Sequence, residues 1–311
     1  MAAITPALIK ELRERTSAGM SDCKNALVEA DGDLEKAVEV ILKKGIVKAA
    51  SRAGKVATEG EVATWVSADG KKGVIVEVNC QTDFVARGDD FKGFVQNVLA
   101  VAQKLAKGKD LGAETYPGTD KSIDTVRQEL VGRIGENIVV RRWDAVECKA
   151  DNGFVQSYVH MGGKLAVLLD ADAPSADARG NADFKAFVEN CAMQIAAMSP
   201  IVVDKGQLSQ TDIDKQREIF QAQLKEEGKP EQAWPKIIEG KVAKWYTEVT
   251  LLGQDNVWEP GAGSIDKIRQ ELGKKLGGEV KVASFVRFGL GEGIDKKVEN
   301  LADEVAKTIG A

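Results

Sequence analysis

Cysteine and histidine are the residue types most able to support catalysis or bind a metal, and this chain has few of them. Its four cysteines are separated by 57, 68 and 43 residues, at Cys23, Cys80, Cys148 and Cys191. This spacing contains neither the close pairs of a zinc site nor a dense disulfide framework. We therefore expect reduced thiols and predict no metal site.

His160 is the only histidine, so a serine or cysteine nucleophile activated by histidine would have to use it. It ends a strand-like run and has no recognisable partner motif, which favours a surface or binding role. Cys80 also ends an apolar run, where a cysteine is usually a small buried hydrophobe. We predict no catalytic residue and a protein that is not an enzyme.

The sequence lacks a GxxxxGK[ST] loop for nucleotide phosphates. "AGKVA" and "GGKLA" contain the lysine but not the second glycine and the hydroxyl that such a loop requires. "GLGEG" at 289–293 is a weak glycine cluster that we interpret as a turn before a final helix. We predict that the chain binds no nucleotide or other cofactor of its own.

The composition is that of a globular chain, with 43% apolar and 29% charged residues among 311, enough for two or more domains. A net charge of −5 argues against a broad nucleic-acid-binding surface, although a local basic patch is compatible with it. The N-terminus has no apolar signal segment, and no uncharged run approaches the roughly 20 residues of a membrane span. We expect a cytoplasmic protein without direct contact to nucleic acid or membrane.

The segment "NCQTDFVARG" at 79–88 places an aromatic residue between two regular patterns. An apolar strand-like run ends at Val78, and a helical pattern opens near Asp90. Phe84 in this position has three interpretations: a buried plug, a member of a catalytic group around Cys80, or a probe for another molecule. The choice depends on the elements that position it.

Residues 1–45 have the pattern of three short helices in a small bundle that resembles ubiquitin-associated domains. The candidate N-terminal caps are Thr5 before Pro6, Ser21 and Asp33. Gly45 is expected to end the third helix. Met20, between the first two helices, suits either a core gap or an exposed contact. Arg13 lies on the polar side of the first helix, where a residue is usually only solvated.

The remainder of the chain contains an internal repeat. "DFKGFVQN" at 90–97 returns as "DFKAFVEN" at 183–190, with six of eight positions identical. "SIDTVRQEL" at 122–130 returns as "SIDKIRQEL" at 264–272, with seven of nine identical. The offset grows from 93 to 142 residues, so the second copy contains 49 extra residues. They form two helical patterns interrupted at "GKP", which predicts an inserted helical hairpin.

Each copy begins with two strand-like runs around a glycine turn and continues as helix, helix, strand. We therefore predict an α+β fold with a duplicated core of antiparallel sheets and helices, followed by a C-terminal helix. The predicted divisions are the N-terminal domain with its tether (1–55), the first half of the core (56–148), the second half with the hairpin near 200–248 (149–290), and the C-terminal helical module (291–311).

The repeat provides an internal control for Phe84. Alignment through the shared "ARG" places Thr82, Asp83, Phe84 and Val85 opposite Pro174, Ser175, Ala176 and Asp177. The second copy has no aromatic residue there, although an architectural plug should recur in both copies. The asymmetry favours a special task in the first copy, and contact with a partner through an aromatic anchor is the task we expect. Divergent packing of the two copies remains the alternative.

Four segments together resemble the bacterial elongation factor Ts family. They are "LRERTSAGMSDCKNAL" (12–27), "EVNCQTDFVAR" (77–87), "IGENIVVRR" (134–142) and "VRFGLGEGI" (286–294). The resemblance covers nearly the whole chain. It implies a guanine nucleotide exchange factor that binds the translational GTPase elongation factor Tu, in its GDP-bound and nucleotide-free forms, and catalyses no covalent chemistry.

The resemblance also implies which residues touch the partner. The loop of Thr82, Asp83, Phe84 and Val85 is expected to disturb the magnesium and phosphate site of the GTPase. Arg13 and Met20 are expected in the N-terminal contact, where Ser21 replaces a second methionine that relatives can carry. Further contacts are implied for three residues: Ile134, Gly135 and His160. In some members the inserted hairpin supports self-association, and the resemblance leaves the oligomeric state open.

Two other functions are compatible with parts of the sequence. A ubiquitin-like or peptide-binding adaptor would use residues 1–45 but leave the rest of the chain unexplained. A hydrolase that depends on Cys80 would explain the position of this cysteine but lacks a partner motif for it.

Overall fold

The computed structural model describes residues 4–16 and 18–295. Its first three helices are α1 (Pro6–Thr16), α2 (Met20–Glu29) and α3 (Leu34–Arg52). As predicted, the hydroxyl of Thr5 accepts from the Leu8 N–H at 3.2 Å, and the Asp33 carboxylate accepts from the Lys36 N–H at 3.1 Å. The three helices share a buried apolar core of Leu12, Ala18, Cys23, Ala26, Leu27, Ala30 and Ala37.

The predicted cap at Ser21 is wrong. The helix α2 begins at Met20, two residues earlier than a cap at Ser21 would place it, because the extended backbone of Gly19 directs its carbonyl to the Cys23 N–H at 2.9 Å. Gly19 therefore occupies the capping position without a side-chain hydrogen bond, and Ser21 lies inside the first turn. Met20 is thus the first residue of a helix and not part of a connection.

The first copy of the repeat contains β1 (Glu59–Val66), β2 (Lys72–Cys80), α4 (Asp83–Arg87), α5 (Asp89–Ala102), α6 (Ile123–Ile134) and β3 (Ile138–Glu147). The strand order is β1-β2-β3. The helix α5 buries residues at helical spacing along one face: Phe91, Phe94, Val95, Val98, Leu99 and Ala102. It thereby supplies a large part of the core of this copy.

The predicted end of α3 at Gly45 is wrong, because the helix continues to Arg52. Gly45 serves a different purpose. A Cβ atom on Gly132 of α6 would lie 2.5 Å from the Cα of Gly45, so the two helices cross with their backbones in contact. A tertiary contact of this kind leaves no local signal, and a glycine within a helical pattern is easily mistaken for its end.

The second copy contains β4 (Gly153–His160), β5 (Leu165–Asp172), α7 (Ala176–Gly180) and α8 (Ala182–Met198). After an insertion it continues with α11 (Ile265–Leu276) and β6 (Lys281–Gly289). The strand order is β4-β5-β6, and β4 pairs with β5 in antiparallel register from Gly153 opposite Asp172 to His160 opposite Leu165. The fold is therefore a mixture of helices and antiparallel sheet, as predicted.

The insertion between α8 and α11 contains α9 (Gln210–Glu226) and α10 (Trp234–Val249). The two helices contact each other through charged and aromatic side chains. Arg217 lies 3.0 Å from the Glu239 carboxylate, and the Lys241 ammonium lies 5.6 Å from the centre of the Phe220 ring. Exposed pairs of this kind contribute little stability, about 0 to 1 kcal/mol each.

The two copies contain equivalent hydrogen bonds and ion pairs that hold their helices in place. Ser122 and Ser264 cap α6 and α11, and glycines in left-handed conformation end these helices. Arg127 donates to the carbonyl of Ile138 at 2.9 Å, and Arg269 donates to that of Val280 at 2.7 Å. The ion pairs Asp90–Arg133 and Asp183–Lys275 are also equivalent. The frame that holds the helices is thus shared.

Glu77 on β2 is a buried carboxylate with four hydrogen-bond partners. It accepts from Arg141 at 2.9 Å, from Arg142 at 2.5 Å, from the Gly291 N–H at 2.8 Å and from the Asn79 side-chain amide at 3.1 Å. Burial by itself would raise the pKa of Glu77, but the hydrogen bonds from Gly291, Arg141 and Arg142 outweigh it and hold the pKa below its ordinary value. Glu77 thereby ties the turn after β6 to the first sheet.

Asp170 on β5 occupies the position equivalent to Glu77. Ala283 and Ser284 stand where the first copy has the two arginines. Oδ1 of Asp170 is buried and has no hydrogen-bond partner among the described residues. Burial raises the pKa of Asp170, and the nearby charge of Asp172 adds to this effect. The same buried position therefore carries opposite shifts in the two copies.

Contacts divide the chain into two compact units, each of which is built from segments that are separated in the sequence. One unit holds the described residues up to Ala63, Val76–Trp143 and the described residues from Gly289, and the other holds Thr64–Ile75 and Asp144–Phe288. In the second unit, the Val155 N–H donates to the Gly70 carbonyl at 2.7 Å. The sequential boundaries at 55, 148 and 290 remain a prediction. Most of the predicted C-terminal module lies outside the described residues.

Candidate functional site

The segment that carries Phe84 folds as a single helical turn, α4. Thr82 has an extended backbone, and its hydroxyl accepts from the Val85 N–H at 3.4 Å, which starts the turn. The carbonyl of Gly88 accepts from the Lys92 N–H at 3.0 Å, so Gly88 ends α4 and begins α5. The aromatic residue therefore sits on a short, defined element between β2 and α5.

Phe84 is 81% exposed, whereas Phe91, seven residues later, is fully buried. The interpretation of Phe84 as a buried plug is therefore wrong. Asp83 pairs with Arg87 across the turn at 2.8 Å, and Val85 is half-buried. An exposed aromatic ring between charged neighbours is suited to insertion into a complementary cavity of another molecule.

Glu136 holds the start of α4. Its carboxylate accepts from the Thr82 N–H at 3.0 Å and from the Thr82 hydroxyl at 2.8 Å. Glu136 directly follows Ile134 and Gly135, which end α6, so the loop of Phe84 and the end of α6 form one site. Ile134 is half-buried, and Gly135 ends the helix with a φ of +85°.

The second copy has the corresponding turn, α7, capped by Ser175. The turns begin at Asp83 and Ala176 and the long helices begin at Asp89 and Ala182, so the offset of 93 residues continues through the joint without a gap. The alignment through "ARG" is therefore wrong by one residue. Thr82 corresponds to Ser175, and Phe84 corresponds to Asp177. The conclusion that the second copy has no aromatic residue here is unaffected.

Cys80 is fully buried, and its thiol donates to the Thr82 carbonyl at 3.2 Å. This geometry agrees with the interpretation of Cys80 as a small buried residue. The other three cysteines are also buried, and none of the four forms a disulfide. Burial raises the pKa of Cys148 to about 11, and it raises that of Cys191 even further. A raised pKa keeps both as thiols at neutral pH, the less nucleophilic form.

Among the residues that the structure describes, no group of three or more histidine, cysteine, aspartate or glutamate side chains could hold a metal ion. None of the described helices has the length together with the apolar character that crossing a bilayer requires.

Comparison with known proteins gives a consistent result. A family model described as "Elongation factor TS" matches residues 81–292. A relative from Clostridium perfringens named elongation factor Ts is 44% identical over 310 residues, covering 99% of each chain. Relatives of the same name from Nitratiruptor sp. and Clostridium acetobutylicum are 45% and 42% identical and cover 98% of each chain. The chain belongs to the elongation factor Ts family.

The N-terminal residues expected to contribute to a contact in an elongation factor Ts lie on the surface. Met20, at the start of α2, is 64% exposed, which rules out its interpretation as a core residue. Arg13 is exposed on α1. Val28, at the other end of α2, is a second exposed apolar side chain of this unit.

His160 lies at the end of β4 in the second copy, as predicted. It is exposed, and its Nδ1 atom lies 3.0 Å from the Tyr158 hydroxyl. Val159 and Met161 beside it are also exposed, and Met161 has a φ of +48°. The end of β4 and the turn after it therefore carry exposed apolar residues on both sides of His160 in the sequence.

Sequence reasoning did not single out Glu136, although it quoted the segment "IGENIVVRR" in which this residue lies. The bond to Thr82 joins residues 54 positions apart, and periodicity cannot reveal such a pair. The available signal was the repeat itself. At the aligned position, Glu136 faces Gly278, an unusual exchange within otherwise similar segments.

Proposed function

We propose that this protein is a guanine nucleotide exchange factor for the translational GTPase elongation factor Tu. It binds the GDP-bound partner, promotes release of GDP and stabilises the nucleotide-free form. The proposal rests on membership of the elongation factor Ts family and on one observation in this chain. Phe84 is an exposed aromatic residue on an anchored turn, and the second copy has no aromatic residue at the equivalent position.

In this proposal, Phe84 enters the partner beside its magnesium and phosphate site. Phe84 lies in the sequence between Asp83, which pairs with Arg87, and the half-buried Val85. An aromatic ring brings a large apolar surface with only two torsion angles to fix, which makes it an efficient anchor. The groups that hold magnesium and phosphate in the partner are displaced, and nucleotide affinity falls.

No bond of the nucleotide is broken or formed in this reaction, so the protein acts without covalent catalysis. A factor that binds the nucleotide-free partner more tightly must weaken nucleotide binding to the same degree, because the two equilibria are linked. GTP then refills the empty site and lowers the affinity for the factor. This cycle requires no phosphate loop in the factor itself.

We propose further contacts with the same partner. Met20 and Arg13 would touch the nucleotide-binding domain of the partner, using the exposed start of α2. Ile134 and Gly135 would lie beside the Phe84 loop in the complex. His160 would contact another domain of the partner, together with the exposed turn after β4.

The finer organisation belongs to the same proposal. The N-terminal helices would act as a bundle like a ubiquitin-associated domain, and the helices α9 and α10 would serve as the inserted hairpin and support self-association. As a translation factor the protein would work in the cytoplasm, without direct contact to nucleic acid or membrane.

The decisive experiment is stopped-flow release of a fluorescent GDP analogue from elongation factor Tu, with and without the purified protein. We expect acceleration that saturates with protein concentration and depends on Phe84. Unchanged release in the presence of the wild-type protein would refute the exchange function. Acceleration that Phe84→Ala leaves intact would keep the function but assign the mechanism to other contacts.

A further inference from the structure

We propose that Glu136 is a positioning residue, whose carboxylate sets the direction in which Phe84 is presented to the partner. This inference rests on the proposed exchange function. Glu136 need not touch the partner, because its effect passes through Thr82 and the helical turn α4. Its chemical role is that of a fixed hydrogen-bond acceptor.

The contact between Glu136 and Thr82 uses both oxygens of the carboxylate. Oε2 accepts from the backbone N–H of Thr82 at 3.0 Å, and Oε1 accepts from its hydroxyl at 2.8 Å. Two hydrogen bonds from one residue to one carboxylate fix an orientation as well as a distance, and the charge strengthens both. Glu136 itself lies in the short connection between α6 and β3, so a regular element holds the anchor on each side.

Every polar group of Thr82 takes part in the same arrangement. Its hydroxyl accepts from the Val85 N–H, and its carbonyl accepts from the Ala86 N–H at 3.2 Å and from the Cys80 thiol at 3.2 Å. Because the hydroxyl donates its only proton to Glu136, its lone pairs are left to accept from Val85. The carboxylate therefore also orients the cap that starts the turn.

Phe84 cannot direct itself, because a side chain that is 81% exposed makes few contacts of its own. Its direction is set by the backbone two residues after Thr82. An anchor that holds this backbone before binding reduces the entropy lost when the ring enters the partner. The structure thus assigns to Glu136 the preorganisation of the probe.

The second copy shows that the turn forms without such a carboxylate. There the hydroxyl of Ser175 accepts from the Ala178 N–H at 3.2 Å, and α7 has the same five-residue length as α4. Gly278 stands at the position of Glu136, and a Cβ atom on it would lie 2.6 Å from the Cβ of Pro174. Folding of the turn therefore does not require the carboxylate. The first copy, which has the carboxylate, is also the copy that has Phe84.

The test combines exchange kinetics with a local structural readout in the full chain. We expect Glu136→Gln to slow GDP-analogue release from elongation factor Tu about three- to tenfold, the effect of losing one of two hydrogen bonds. Thr82→Val should produce a similar loss, and the double variant should lose little more. Ser175→Ala, which removes the cap of the equivalent turn, is the matched control and should leave exchange unchanged.

Two further measurements separate positioning from other roles. In a Phe84→Ala background, Glu136→Gln should have no additional effect, because the side chain through which it acts is gone. Hydrogen exchange of the Thr82 and Val85 amides, measured without the partner, should become faster while the melting temperature stays the same. Unchanged exchange kinetics in Glu136→Gln, or an equal loss in the Phe84→Ala background, would overturn the proposal.

The amide measurement does not depend on the partner. If the wild-type protein failed to accelerate GDP release, the exchange function would be refuted. Slower amide exchange in the wild type than in Glu136→Gln would still support the anchoring of the turn. Equal amide exchange in both proteins would overturn it.

Discussion

The two copies of the core share the same supporting contacts, and they differ most at the joint between the short turn and the long helix. In both, a short turn leads into a long helix, and an ion pair joins that helix to a later helix of the same copy. That later helix carries an arginine that donates to a backbone carbonyl beyond the glycine at its end. At the joint itself, the first copy has Phe84 and Glu136, and the second has Asp177 and Gly278. Within this shared arrangement, one joint carries an exposed aromatic residue, whereas at the other joint the backbone of Gly278 packs against the side chain of Pro174.

The buried carboxylates on β2 and β5 repeat this contrast inside the sheets. Glu77 is surrounded by donors, whereas Asp170 is buried with one oxygen lacking a hydrogen-bond partner among the described residues. We therefore expect substitution of Glu77 to lower the stability of the protein and substitution of Asp170 to raise it. The following predictions use that difference, beginning with the largest effect.

Removal of the carboxylate in the first copy should be the most damaging change. Glu77→Ala leaves Arg141 and Arg142 without their acceptor, and loss of one partner of a buried ion pair costs about 3 to 5 kcal/mol. Denaturant unfolding measures this value. A loss below about 1 kcal/mol would contradict the importance assigned to the cluster.

Glu77 also predicts a pH dependence. Because its pKa is lowered on folding, its contribution is complete above the unfolded value and is lost as the pH falls through the folded value. Wild-type stability should therefore fall more steeply on acidification than that of Glu77→Gln. Parallel stability curves from pH 7 to pH 3 would show that the cluster is not the cause.

The exposed aromatic residue should matter for exchange and not for folding. We expect Phe84→Ala to slow GDP release about 10- to 100-fold, equivalent to roughly 1.4 to 2.8 kcal/mol, with an unchanged melting temperature. Asp177→Ala, at the equivalent position of the second copy, is the matched control and should leave exchange unchanged. Phe91→Ala, which empties a buried site, should instead lower stability by about 3 to 5 kcal/mol.

The backbone approach in the second copy should be sensitive to a single methyl group. Gly278→Ala would bring its Cβ against Pro174, and we expect a loss of about 1 to 3 kcal/mol in thermal or denaturant unfolding. Gly240→Ala, in α10 with open space around the position, should raise stability by about 0.5 to 1 kcal/mol. Equal effects of the two substitutions would show that the close approach is unimportant.

The smallest effect is expected at Asp170, and it has the opposite sign to that at Glu77. Because its pKa is raised on folding, the wild type loses stability as the pH rises through the folded value. Asp170→Asn removes the charge and should raise the melting temperature at pH 7 by about 2 to 4 °C. At a pH below the unfolded value the two proteins should melt alike, and a decrease at pH 7 would contradict the assignment.

Local signals in the sequence were sufficient for the elements but not for the contacts between them. Thr5 and Asp33 were predicted as caps because each bonds a residue three positions away. Gly45 was wrongly predicted to end a helix, because this position requires glycine for its close contact with Gly132, which lies more than eighty residues later in the chain. The clusters of Glu136 and Glu77 were missed for the same reason, since their partners are distant in the chain.

The candidate site was predicted in its position but not in its construction. The repeat singled out Phe84 because the second copy has no aromatic residue at the equivalent position, and the exposure of Phe84 fits a contact residue. The misplaced gap in the alignment arose from three matching letters, whereas the caps at Thr82 and Ser175 define the correct register. The assignment of Arg13, Ile134, Gly135 and His160 to a partner interface remains a prediction.

The hydrogen bond from Gly291 to Glu77 has a consequence for the order in which the two units are completed during synthesis. The two residues are 214 positions apart, so at 5 to 20 residues per second Glu77 waits roughly 10 to 40 s on the ribosome for this donor. Arg141 and Arg142 emerge much earlier and can neutralise the carboxylate in the meantime. The unit whose synthesis starts first is therefore the one that is finished last.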